Sequence, residues 1–182
     1  MSDAAANASG TPEVSATFCW FDYRDLDLDE APCVLPPIDG DWSGWDELVR
    51  ENEQDMGVVT LRQGDDIVVE IEDSLTATIT NLLIAVPDLV ARRHVVISQF
   101  QVYGYIRMDH EASDELISGD HVPTVRIRRA GLIPALVELG ERYLALLEAN
   151  VGERDDFAEI IEDLRDDKLP AAREAVASWD GN

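Results

Sequence analysis

The three histidines, His94, His110 and His121, carry the widest chemical latitude in the chain, and two of them sit among carboxylates. His110 lies within Met108-Asp109-His110-Glu111, and His121 follows Asp120. An imidazole beside a carboxylate can take a proton as a general base, and two histidines with one carboxylate form an open site for a transition metal. Both residues lie in polar stretches flanking one expected loop, so the chain could bring them together as a metal-dependent reaction centre. Nothing at i, i+4 spacing holds them on a single element, and the plainer reading is a pair of exposed histidines in an acidic loop. On this pattern no residue is designated catalytic and none a metal ligand.

The acidic runs raise calcium as a second possibility. Asp25, Asp27 and Asp29 match the first three ligand positions of an EF-hand loop, but the sixth position is Glu30 and the twelfth is Pro36. Asp39, Asp41, Ser43 and Gly44 match better, yet the twelfth position is Arg50, where a bidentate Glu must close the cage. A turn and helix cap accounts for these residues more simply. The two cysteines, Cys19 and Cys33, form no CxxC and no Cys/His quartet, so neither zinc nor any cofactor is expected. The chain also lacks GxSxG, HExxH, P-loop and GxGxxG signatures, which lowers the expectation of an enzyme.

Aromatic residues supply a different kind of chemistry. Trp42 and Trp45 stand three apart beside Asp39 and Asp41, and Tyr103 and Tyr105 flank Gly104. Trp and Tyr concentrate at the energetic centres of protein interfaces. Asp39, Asp41, Trp42, Trp45, Tyr103 and Tyr105 are therefore the candidate partner-binding residues. The competing reading is simple packing of a connector onto a sheet.

The surroundings of these residues are strongly acidic. Across 182 residues there are 38 Asp and Glu against 14 Lys and Arg, a formal net charge of −24, with a single lysine, Lys168. So negative a surface argues against a nucleic-acid binder, which needs basic residues to release counterions. No apolar run reaches the 18 residues of a membrane span, and the first 16 residues lack the basic and apolar regions of a secretory signal. The expectation is a soluble, cytoplasmic protein that can fold around a core, since 46% of its residues are hydrophobic. The charge is uneven: residues 1–56 carry −12, residues 57–147 carry −5 and residues 148–182 carry −7, while six arginines fall between Arg92 and Arg129. Internal pairing of those arginines with the acidic ends is the simplest account.

Positioning falls to a mixture of strands and helices. Residues 1–16 are read as a disordered leader and 17–23 as a strand. Residues 24–43 are read as an acidic, proline-rich connector without regular structure, followed by a short helix over 43–53. Val58–Arg62 and Ile67–Glu72 flank Gly64 as a hairpin. Ser74 then caps a helix carrying Leu75, Ile79, Leu82, Leu83 and Val86, which Pro87 ends or kinks. His94–Arg107 reads as one strand with a possible bulge at Gly104, Asp109–Asp120 as a loop, and Val122–Arg128 as another strand. The longest helix covers about Leu132–Asn150, with a stripe of Leu132, Leu136, Leu139, Tyr143 and Leu147. Two shorter helices follow, separated at Pro170. The fold class is α+β: a single domain over 17–150, with an antiparallel or mixed sheet packed on two main helices, and an acidic helical extension over 151–182.

This pattern suits a non-enzymatic, acidic protein-binding module, of the kind that inhibits or neutralises a basic partner protein as immunity proteins do, without nucleic acid or membrane. Two other classes fit the same residues. One is a housekeeping or assembly component of a salt-adapted cell, whose carboxylates serve hydration rather than a partner. The other is the metal-dependent enzyme using His110 and His121.

Overall fold

A computed structural model describes residues 10–20, 33–38, 56–99, 104–120, 122–150 and 155–181. The architecture is α+β, with two four-stranded antiparallel sheets rather than one. The first sheet has the order β2-β1-β3-β4, from β1 (Pro12–Trp20), β2 (Cys33–Pro37), β3 (Met56–Gln63) and β4 (Asp66–Ser74). The second is a meander of β5 (Val95–Ser98), β6 (Tyr105–Glu111), β7 (Asp114–Gly119) and β8 (Val125–Arg128).

The hairpin read from the sequence is present. Gln63 pairs with Asp66, leaving the two-residue loop Gly64-Asp65, and Gly64 takes φ +67. That left-handed position costs glycine little. A bulge at Val68 then separates Arg62↔Ile67 from Leu61↔Val69. Beyond it Val69 and Ile71 turn inward and Glu70 and Glu72 face solvent, the strand's period of two. Ser74 ends β4 and caps helix α1 (Leu75–Val90), its Oγ accepting from Ala77 N at 3.2 Å. Leu75, Ile79, Leu82, Leu83 and Val86 are all buried.

Helix α1 runs on through Pro87 for another turn, because Leu89 is drawn into the core. It stops where Arg92 adopts φ +57, with Arg92 N bonded to Leu89 O and Arg93 N to Asp88 O. Helix α2 (Arg129–Asn150) starts directly after β8 and buries the whole predicted stripe. The two helices touch closely: a Cβ at Gly140 would stand 2.7 Å from Leu83 Cδ1. They share a hydrogen bond between Thr76 Oγ1 and Tyr143 Oη, 2.6 Å, while Arg142 donates to Val14 O of β1.

Several sequence expectations change. Pro12–Ala16, assigned to the leader, lie in β1, where Val14 and Ala16 point into the core. Cys33–Pro37, assigned to an irregular connector, form β2; it is an edge strand, the place where prolines are tolerated because no further ladder needs their N–H. The single strand over 94–107 is split between β5 and β6, with Gln99 N bonded to Gly104 O. The loop expected over 109–120 is the β6–β7 hairpin, which reverses at Ala112 with φ +55. The helix expected over 43–53 lies outside the described residues.

At the C-terminal end the two expected helices form one continuous rod: α3 (Asp155–Asp163), a π-turn (Leu164–Lys168) and α4 (Leu169–Ala177). The π-turn closes with Leu169 N bonded to Leu164 O, immediately before Pro170. Widening the helix there accommodates a residue that cannot donate to the ladder. Ile161, Leu164, Leu169 and Ala172 join the same buried cluster as the sheets and α1 and α2.

Candidate functional site

The chemistry of the molecule concentrates where the β6–β7 hairpin meets the first residue of α2. Along β6, Ile106, Met108 and His110 alternate onto the inner face, and on β7 so do Glu115 and Ile117. His110 and Glu115 stand directly opposite one another in the register, with His110 Nδ1 3.7 Å from Glu115 Oε1. Arg129 enters from α2, its backbone N–H bonded to Ser113 O at the hairpin turn.

The Arg129 guanidinium has four neighbours. Its Nε lies 3.1 Å from Glu115 Oε1, and both side chains are 1% exposed. Its Nη2 donates to Leu89 O and Val90 O, each at 2.6 Å. Those are terminal carbonyls of α1, the negative end of a helix dipole. Its plane lies 4.9 Å from the centre of the Trp179 ring, just beyond α4. One buried cation thus joins the second sheet, α1, α2 and the C-terminal rod.

Burial sets the protonation of this cluster. It pushes Glu115 up to about 7, against the opposing pull of Arg129. Arg129 opposes burial through its charge first and through its side-chain hydrogen bond to the carboxyl second. Burial also lowers His110, with Arg129 and then Arg92 adding to the effect, which keeps the imidazole neutral. Burial lowers Arg129 too, while Glu115 raises it. The result is a carboxyl that holds its proton unusually late beside a neutral imidazole and a buried cation.

The carboxylates adjacent to His110 in sequence are not its partners. Alternation turns Asp109 and Glu111 onto the outer face, where Asp109 Oδ1 meets His94 Nδ1 at 2.5 Å and Glu111 Oε2 meets Arg126 Nη2 at 2.9 Å. His110 therefore faces Glu115, across the hairpin, rather than its flanking acids. His121 lies outside the described residues, as do Asp39, Asp41, Trp42, Trp45 and Tyr103. Among the described residues no group of three or more His, Cys, Asp or Glu is arranged to hold a metal. Tyr105 is on the outer face of β6, 37% exposed, with the Arg107 guanidinium 5.3 Å from its ring centre. Glu115 and Arg129 were not singled out from sequence; the usable signal was inward polar residues either side of Ala112-Ser113, a turn between two alternating runs.

No protein-family model, no curated protein and no solved structure matches this chain. No helix among the described residues is long and apolar enough to cross a membrane.

Proposed function

We propose that the protein is a non-catalytic binding module that engages a basic partner protein through its carboxylate-rich exterior, inhibiting or neutralising that partner. The observation that carries this reading is the use of the cations. Arg93, Arg126, Arg129, Arg165, Lys168 and Arg173 are each engaged by a carboxylate of the same chain. With these six of the fourteen cations engaged internally, less positive charge is left to offset the carboxylates on the surface. On β4, Glu70 and Glu72 project from an edge strand, opposite Thr60 and Val58, with exposed Asp65 and Asp66 at the adjoining turn. Such a face speeds encounter with a cationic surface and rejects acidic ones.

The aromatic residues Trp42, Trp45, Tyr103 and Tyr105, with Asp39 and Asp41, are the anchors in this reading, since affinity at interfaces rests on a few large side chains. The buried Glu115–Arg129 cluster supports the scaffold by fixing the second sheet to the helices.

The test is recovery of the protein with its partner from its own cells, followed by stopped-flow association and dissociation kinetics across salt concentration. A basic partner whose association slows steeply with salt is expected. Glu70→Gln with Glu72→Gln should slow association, and Trp42→Ala or Trp45→Ala should hasten dissociation. Binding that is indifferent to ionic strength defeats the reading.

A further inference from the structure

The four edge strands of the two sheets are not equally protected. Strand β2 carries Pro36 and Pro37, and β4 carries Asp66, Glu70, Glu72 and Asp73. Strand β8 reads Val-Arg-Ile-Arg, and the Arg128 N–H is taken by Gln63 Oε1 at 2.9 Å. Proline, charge and capping are the usual means of keeping an edge from pairing. Strand β5, Val95-Val96-Ile97-Ser98, has none of them.

The direction of its free groups follows from the ladder. Tyr105 O accepts from Asp120 N, so Tyr105 and Arg107 direct their backbone groups toward β7. Ile106 and Met108 then bond to Ile97 and Val95, and Gln99 N continues that side by bonding to Gly104 O. The N–H and C=O of Val96 and Ser98 consequently point away from the sheet, with no partner among the described residues. The Val96 side chain is 51% exposed.

We infer that a second copy of this chain pairs antiparallel with β5 along this edge. A two-fold axis at Ile97 sets Val96 opposite Ser98 of the other copy, and both pairs exchange backbone hydrogen bonds. The second sheets of the two copies then form one eight-stranded sheet. Charge favours this site for self-contact: two chains of −24 repel over most of their surfaces, whereas β5 is uncharged and its outer-face neighbours on β6 are Tyr105 and Arg107. A basic partner gains nothing at such an edge, so this contact is independent of the acidic face proposed above.

The experiment is sedimentation of the full chain over a concentration series at low and at molar salt. A small edge contact, under about 1,200 Å², belongs to the weak class, so a reversible monomer–dimer equilibrium is expected. Salt should strengthen it by screening the repulsion, opposite to its effect on a basic partner. Val96→Pro removes only an outward N–H and Val96→Lys adds charge. Each should weaken dimerisation at least tenfold while leaving the circular dichroism unchanged. On the unaltered protein, amide exchange at Val96 and Ser98 should slow as concentration rises, a readout that stands even where a variant fails to fold. A monomer at every concentration and salt overturns the inference. So does a dimer that survives both folded variants, or exchange at Val96 and Ser98 that ignores concentration.

Discussion

Arg129 Nε lies 3.1 Å from Glu115 Oε1, and neither side chain reaches solvent. Removing one member of such a pair leaves the other charge uncompensated, typically at about 3–5 kcal/mol. Arg129→Ala should cost about that much in urea unfolding at pH 8, where Glu115 is ionised. Arg129→Lys should recover little, because a single ammonium cannot serve Glu115, two carbonyls and the Trp179 ring together. Full recovery by lysine would show that charge alone matters there.

Glu115 makes stability depend on pH in a stated direction. Its folded value, about 7, is above its ordinary 4.5, so the native state binds the proton more tightly than the unfolded chain. The contribution is therefore fully present below pH 4.5 and is lost as pH rises through 7. Other carboxylates also titrate at the acidic end, so the comparison is with Glu115→Gln. The difference in unfolding free energy between the two proteins should change steadily from pH 4.5 to 7.5. A constant difference would remove Glu115 as the titrating group.

Trp179 gives the C-terminal rod its contact with the buried guanidinium. Trp179→Ala should destabilise by about 1–2 kcal/mol through the lost cation–π contact, with further loss from its packing against the core. Amide exchange should accelerate first in 169–177 rather than in β3 or β4. Trp179→Phe, which keeps an aromatic face, should fall between the two. Uniform acceleration across the chain would mean that the rod does not open separately.

The surplus of carboxylates predicts that salt stabilises. The melting temperature should rise between 0.05 and 1 M NaCl, as the Debye length falls from over 10 Å to about 3 Å. For a chain of this size each kcal/mol corresponds to about 2–4 °C. The exposed pairs Arg165–Glu148 and Arg173–Glu141 work in the opposite sense but are individually weak. A melting temperature that falls with salt would show that attraction, not repulsion, dominates the surface.

The helices were legible because their apolar spacing is set by one repeat. Leu132, Leu136, Leu139, Tyr143 and Leu147 fix the buried face of α2 whatever surrounds it. The β3–β4 hairpin was equally plain from Gly64 between two alternating runs. Strand β2 was hidden because its prolines argue against a strand in general and are permitted only at an edge, and edge status is a property of the sheet. The β6–β7 hairpin was hidden for a related reason: His110 and Glu115 occupy inward positions where an apolar residue is expected, so the alternation reads as a polar loop. Their environment depends on Arg129 and Leu89, which adjoin them only after the second sheet and α1 have formed. His110 was legible as a candidate, whereas its true partner required the register.

The π-turn before Pro170 has a consequence for deletions. Along the rod the inward residues advance by three from Ile161 to Leu164, then by five to Leu169, and by three again to Ala172. The widened turn absorbs one extra residue and keeps the stripe aligned, where a step of five in an ordinary helix would leave it. Excising a single residue from 165–168 would restore a regular helix whose inward steps are three, four and three, so the stripe would stay in phase. Leu169 and Ala172 would still face the core, and the indole of Trp179 would still cover the guanidinium, whereas a second inserted residue would have no such turn to absorb it. The rod therefore tolerates shortening at this point, where the irregular winding stores one residue the packing does not need.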